Sequence, residues 1–236
     1  MQVAILCGGL GTRLKSVTKN MPKPMVDVLG KPFLYHQLSL LHSQGFKSFL
    51  LLAGYGSEHI IDYFKNLSFK IEYSVELSPL GTGGALEFAQ DKLEDQFILL
   101  NGDSYLDIDY QLPKEYFLQR KALGLLCTYP NADSNSYYEP NNVLVRNDKI
   151  AFYQKQSISH KLTHLDAGAS IFSKSIFSQY FGNSRPPFSL ENTILPKLIS
   201  DNELLSYEID QQPYDIGTPD RYNRFIERLR RNVQQQ

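Results

Sequence analysis

Cysteine is scarce in this chain. There are two in 236 residues, Cys7 and Cys127, and each lies inside an apolar run. Two such residues form neither a zinc spacing nor a disulfide framework, so both read as small buried hydrophobes. An excess of charge of one sign is also missing: 24 Lys and Arg stand against 25 Asp and Glu, for a net of −1. Proteins that neutralise a nucleic-acid backbone carry a strong basic excess, so no nucleic-acid partner is expected. No run approaches the roughly eighteen apolar residues of a membrane span. Met1 leads into an apolar strand without a basic segment or small-residue cleavage site, which removes the features of a secretory signal. A soluble, cytoplasmic chain with no membrane partner is expected. No internal repeat is found, and low complexity is confined to Gln234, Gln235 and Gln236. His36, His42, His59, His160 and His164 have no carboxylate or cysteine at ligand spacing, and no local nucleophile motif occurs.

Short apolar runs alternating with helical-period segments fill the first half. Residues 3–7, 48–53, 70–75 and 97–100 read as strands and 33–44, 57–64 and 83–93 as helices, with Ser57 as an N-cap. This is the pattern of right-handed parallel β/α units, with helices on both faces of the sheet. The second half reads as strands at 123–129, 143–146, 150–155 and 167–172, with helices at 190–199 and 219–229. It should extend the same sheet. The predicted class is therefore α/β, a doubly wound, mostly parallel, Rossmann-like sheet with a second lobe closing over the first.

In such sheets ligands bind beyond the carboxyl ends of the strands. Three loops there are unusual: "CGGLGTR", "SPLGTGGA" and "NGDS". Gly8, Gly9 and Gly11 allow close approach of a phosphate to the backbone, Thr12 adds a hydroxyl, and Arg13 a fork of donors. An ordinary tight turn is the competing reading. A dinucleotide fingerprint fails, because Leu14 replaces the third glycine and Gly54 follows the second strand without a ribose-binding acid. Lys23, between Pro22 and Pro24, sits on a stiffened loop that can display it to a phosphate, with a solvated surface lysine as the competing reading. Gly81, Thr82, Gly83 and Gly84 precede a helix, where a flat base or sugar can rest on bare backbone; a loose helix entry is the alternative. Glu76 can accept from the N1 or N2 group of guanine. Asp103 ends an apolar strand, and with Asp215 it offers the hard oxygen ligands suited to Mg²⁺. A plain turn before the last helix remains the alternative for Asp215, with Thr218, Pro219 and Asp220 as its cap and first turn.

Together "GGLGTRL", "MPKPM", "PLGTGGA", "NGDS", "LDAGASIF", "FSLENTILPKL" and "YDIGTPDRY" resemble the sugar 1-phosphate nucleotidyltransferases, from residue 1 to about residue 228. Within that family the likeness is greatest to guanylyltransferases of a manno-configured heptose 1-phosphate. The resemblance implies one nucleotidyltransferase domain, 1–236, with a nucleotide-binding lobe at 1–112 and a sugar-binding lobe at 113–236. It implies GTP and heptose 1-phosphate as substrates, GDP-heptose and pyrophosphate as products, and surface polysaccharide as the destination. It assigns Arg13, Lys23 and Asp103 to catalysis, and Leu6, Gly8, Gly9, Gly11, Thr12, Arg13, Glu76, Gly81, Thr82, Gly83, Gly84, Asn101 and Gly102 to the nucleotide. Lys155, Asp166, Gly168 and Glu191 fall on the sugar phosphate side, and Asp103 and Asp215 on Mg²⁺. Relatives usually read Glu-Lys at Gln154 and Lys155 and asparagine at Asp166, and they carry a Tyr-Gly pair near Tyr138 and Glu139. No appended acyltransferase or regulatory domain is expected after "YDIGTPDRY".

A sugar phosphate oxygen is largely ionised near neutrality, since its second pKa is about 6; it attacks the α-phosphorus without a general base, given positioning and charge neutralisation. The runner-up is another pyrophosphorylase, for GDP-mannose or for a hexose or muramic-type 1-phosphate with UTP, CTP or dTTP. From other classes, a non-catalytic nucleotide-sugar sensor releases no pyrophosphate, and a dinucleotide oxidoreductase binds NAD(P). A homo-oligomer is left open.

Overall fold

The computed structural model describes residues 1–9, 14–18, 21–131, 140–154, 162–182 and 184–234. Strand β1 (Gln2–Leu6) is followed by a short helix α1 (Lys15–Thr18), a 3₁₀ turn at Lys23–Met25, and the hairpin β2 (Asp27–Val28) and β3 (Lys31–Pro32). Helix α2 (Phe33–Ser43), β4 (Phe49–Ala53), α3 (Ser57–Phe64), β5 (Ile71–Val75), α4 (Gly81–Phe88), β6 (Gln96–Asn101), β7 (Ser104–Tyr105) and α5 (Gln111–Arg120) complete the first half. The second contains β8 (Gly124–Pro130), β9 (Val143–Arg146), β10 (Lys149–Tyr153), β11 (His164–Ser173), α6 (Leu195–Ser200), β12 (Leu204–Glu208), β13 (Tyr214–Asp215) and α7 (Pro219–Gln234).

Strand side chains alternate between faces, and in the central strands both faces are apolar. Val3, Ile5, Leu51, Ile98 and Leu100 enter one core with Leu34, Leu38, Ile60, Phe64 and Phe117 from α2, α3 and α5. Ala4, Leu50, Leu52, Phe97 and Leu99 enter the other with Leu86 of α4 and Leu195 and Leu198 of α6. A sheet covered on both sides favours continuous apolar strands such as "FLLLA", because a polar side chain buried on either face is costly unless it is hydrogen-bonded.

Among the described residues, nine strands join in the order β5-β4-β1-β6-β11-β8-β12-β10-β9. The first four are parallel. Strand order reverses between β1 and β6, which creates the crevice at their carboxyl ends. Strand β11 then inserts antiparallel between β6 and β8, while β8 and β12 run parallel to each other. The doubly wound sheet is thus parallel in its first half and mixed in its second. A third cluster, with Leu14, Val26, Val28, Phe33, Tyr105, Ile216 and Phe225, ties the loop after β1 to β7 and to α7.

Several local expectations shift. Gly56, with φ of 68°, caps α3 in place of Ser57, which becomes the first helical residue. Helix α4 begins at Gly81, two residues early, and ends at Phe88, followed by a 3₁₀ turn at Gln90–Lys92. A π turn at Leu190–Ile194 precedes α6 where one continuous helix was expected. Helix α5, strand β12 and the two-residue strands were not anticipated.

Candidate active site at the carboxyl edge of the sheet

Five neighbouring strands each bring a singled-out segment to one edge. Glu76 follows β5 and donates its backbone N–H to Ala53 O, 2.9 Å away. Its side chain lies against the turns after β4 and β1: a Cβ on Gly54 or Gly8 would stand 3.0 or 2.9 Å from Glu76 Oε1. Glu76 Oε2 accepts the Leu80 N–H at 3.3 Å. Burial pushes the pKa of this carboxyl up, opposed in part by that backbone bond. Gly9 is exposed, with open space where a side chain would stand. Leu6, at the end of β1, pairs with Asn101 of β6 and accepts the Gly102 N–H at 3.0 Å. A Cβ on Gly102 would lie 2.4 Å from Leu6 O, so only glycine lets this turn close against β1. Cys7, beside it, is fully buried, and burial followed by the nearby Asp103 charge raises its thiol pKa far beyond reactivity.

The turn after β6 presents Asp103, and Lys23 Nζ meets Asp103 Oδ2 at 2.5 Å. Lys23 is not the exposed loop lysine that "MPKPM" also allows. It begins the 3₁₀ turn, buried with Pro24 and Met25, and its ammonium reaches out from beneath. Asp215 arrives at the same place because β13 pairs antiparallel with β7, Asp215 opposite Ser104 and Tyr214 opposite Tyr105. Ile216 N–H also donates to Asp103 O at 3.0 Å. Asp215 Oδ1 accepts the Gly217 N–H at 2.7 Å, and Arg221 Nη1 lies 3.2 and 3.1 Å from its two carboxylate oxygens. The turn reading of Asp215 therefore holds alongside its position next to Asp103. The expected cap is present too, with Arg221 N–H donating to Thr218 Oγ1 at 3.4 Å.

These two carboxylates fit a hard divalent cation. They converge from segments far apart in sequence, each is satisfied in this structure by a side-chain cation that stands where positive charge is wanted, and both are only part-buried. Two carboxylates leave room in a hard cation's shell for phosphate and water oxygens.

Across β6, strand β11 carries a register shift between Asp166 and Ser170. The bulge is formed around Gly168, whose φ is 77°. A Cβ there would lie 2.8 Å from Ser104 Oγ and 3.2 Å from Asn101 Nδ2, so the arch rests directly on the Asp103 turn. Asp166 is anchored by Tyr153 Oη at 3.0 Å, by the Gly168 N–H at 2.9 Å, and by its own N–H donating to Asn142 Oδ1 at 2.8 Å.

Glu191 and Thr82 meet elsewhere along the rim. Glu191 Oε2 accepts the hydroxyls of Thr82 and Ser189, each at 2.6 Å, and Thr82 Oγ1 accepts the Leu190 N–H at 2.9 Å. The amides of Gly83 and Gly84 donate to Phe188 O at 3.0 and 3.3 Å. Side chains at Gly81 or Gly83 would overlap Phe188. Two of the amides expected to be bare for a base, those of Gly83 and Gly84, are thus taken by the chain's own segment. Gly11, Thr12, Arg13 and Lys155 lie outside the described residues, as do Tyr138 and Glu139.

Two residues that sequence reasoning passed over touch this cluster. Arg221 sits in the quoted motif "YDIGTPDRY", and helical spacing from Pro219 could have turned it back toward Asp215. Gln37 carries no such signal; only its occurrence among the apolar residues of α2 marks it.

A doubly wound sheet with acidic and cationic side chains gathered at its switch point is the frame of a nucleotide-handling enzyme, and a model of the family "Nucleotidyl transferase" matches residues 2–232. The chain belongs to the nucleotidyl transferase family. It is 34% identical over 228 residues to the D-glycero-α-D-manno-heptose 1-phosphate guanylyltransferase of Campylobacter jejuni, covering 96% of this chain and 99% of the relative. With the enzyme of the same name from Aneurinibacillus thermoaerophilus it shares 32% over 236 residues, covering 99% and 100%. The crystal structure of HddC from Yersinia pseudotuberculosis complexed with GMP-PN superposes with a TM-score of 0.80 at 32% identity, covering 97% of this chain and 99% of that one.

Proposed function

We propose that this enzyme transfers GMP from GTP to D-glycero-α-D-manno-heptose 1-phosphate, forming GDP-heptose and pyrophosphate. The observation that carries the reading is the meeting of Lys23, Asp103 and Asp215, from three distant segments, at the switch-point edge of the sheet. Full-length similarity to two guanylyltransferases of that sugar supports the substrate.

Residues 1–112 form the nucleotide-binding lobe and 113–236 the sugar-binding lobe, with β13 returning Asp215 to the first. Leu6, Gly8, Gly9, Gly11, Thr12, Asn101 and Gly102 line the triphosphate, and Arg13 and Lys23 neutralise it. Glu76 selects guanine, while Gly81, Thr82, Gly83 and Gly84 border base and ribose through the segment they pack against. Lys155 meets the sugar phosphate, and Asp166, Gly168 and Glu191 line the sugar. Asp103 and Asp215 would hold Mg²⁺, which when bound supplies charge neutralisation for the phosphates. A phosphate oxygen of the sugar bonds to the α-phosphorus as the bond to the β-phosphate bridging oxygen breaks, and the electron pair leaves with pyrophosphate. Lys23 stabilises the developing charge, and because the sugar phosphate is already ionised no proton has to be removed by the protein. The reaction belongs in the cytoplasm, upstream of capsule or lipopolysaccharide assembly.

The test is pyrophosphate release from GTP, ATP, CTP, UTP and dTTP, each offered with heptose, mannose and glucose 1-phosphates. GTP with the heptose should be preferred. Preference for a pyrimidine nucleotide refutes the guanylyl assignment, and no release with any pair refutes the enzyme.

A further inference from the structure

We infer that Gln37 is a positioning residue for the reaction, setting the turn that presents Asp103. This rests on the nucleotidyl-transfer reading. Helix α2 buries Gln37 to 3% exposure, and its Nε2 donates to Asn101 O at 2.9 Å and to Ser104 O at 2.5 Å. Those carbonyls flank Gly102 and Asp103, so one planar amide, with a proton for each, spans the turn like a caliper. The remaining faces of the turn are also held: Gly102 N–H by Leu6 O, and Asp103 O by the Ile216 N–H. With the backbone fixed on three sides, the Asp103 carboxylate keeps only its side-chain torsions in which to meet Lys23 and substrate.

The amide oxygen makes the case stronger. Gln37 Oε1 is buried without a hydrogen-bond partner among the described residues, a cost that an apolar side chain of equal size would avoid. A glutamine here therefore serves its two N–H groups. Active-site turns held by supporting hydrogen bonds lose rate when the support goes, because small misplacements disturb the transition state more than binding.

The comparison needed is with a second buried glutamine that clamps backbone away from the site. Gln2 is 4% exposed at the start of β1, the opposite edge of the sheet, where Nε2 donates to Lys92 O at 3.2 Å and Oε1 accepts the Glu94 N–H at 3.2 Å. Gln37→Met and Gln2→Met should each lower Tm by a few degrees. Only Gln37→Met should lower kcat, by about ten-fold or more, with KM for the nucleotide changed less than about two-fold. A folded Gln37→Met enzyme within about two-fold of wild-type kcat overturns the inference, and so does an equal loss in Gln2→Met. If Gln37→Met does not fold, Gln37→Asn keeps an amide one methylene too short to span both carbonyls, and its kcat should fall likewise. Wild-type kcat there, or failure of both Gln37 variants to fold, overturns the assignment. Wild-type turnover of GTP reports on the proposed function; the variant-to-wild-type ratio, with whichever nucleotide is accepted, reports on Gln37.

Discussion

Lys23 and Asp103, 80 positions apart, form an ion pair of 2.5 Å in which the lysine is the more enclosed partner. The ammonium is delivered from a proline-bounded turn whose neighbours are core residues. Lys23→Ala should lower kcat by about 10²-fold or more, the usual cost of a charge-stabilising group at a transition state. Lys23→Arg should rescue little, because a longer planar fork does not fit a space shaped for a compact ammonium. Asp103→Ala should reduce pyrophosphate release to background. A steady-state assay of the three variants checks all of this.

Arg221 satisfies Asp215 through both carboxylate oxygens, so a cation binding there must displace it. Arg221→Gln should strengthen Mg²⁺ or Mn²⁺ binding to the nucleotide-free enzyme by roughly ten-fold, equivalent to about 1.4 kcal/mol. Titration calorimetry reads this directly. Unchanged or weaker binding would show that Arg221 is no competitor.

Gly168 combines a φ of 77° with contact on Ser104. Gly168→Ala should cost about 1–2 kcal/mol from backbone strain alone, and more from the collision with Ser104 Oγ. Denaturant unfolding gives the stability change. The same variant should be impaired in turnover, because the strand arch presses on the Asp103 turn.

Glu76 carries a pKa raised chiefly by burial, so the folded state disfavours its ionised form. The group's folded pKa lies above its unfolded one, and its stability contribution is best below the unfolded pKa and declines as pH rises through the folded one. Glu76→Gln should therefore raise Tm at pH 7, with the gain vanishing as pH falls below the ordinary carboxylate range. It should also narrow the preference for GTP over ATP. A thermal series across pH and competitive nucleotide kinetics test the two halves separately.

The central strands were legible because burial on both faces demands apolar runs, as in "FLLLA". The edge that carries the candidate site was legible because glycines and a carboxylate interrupt such runs at their carboxyl ends, as at Gly8 and Asp103. Helix α5 was not, since its apolar residues Leu112, Pro113, Tyr116, Phe117 and Leu118 lie on several sides, with Leu112 and Leu118 exposed and Phe117 buried. Strand β12 escaped because "LLSYE" contains serine at a core position, where Ser206 bonds Thr128 Oγ1 at 2.7 Å. The glycines at 81, 83 and 84 announced close approach correctly, yet composition could not say whether the approaching group was a ligand or Phe188. Gln37 makes its contacts across 64 and 67 positions, and no local pattern encodes such a reach.

Pairing of β13 with β7 ties the completion of this site to protein synthesis itself. Asp103 is synthesised 112 residues before its acidic companion, Asp215, which shortly precedes the last helix. A translation product aborted in between contains the first four parallel strands and lacks one arm of the carboxylate pair. Nucleotide-sugar formation should therefore wait until the late segment has docked.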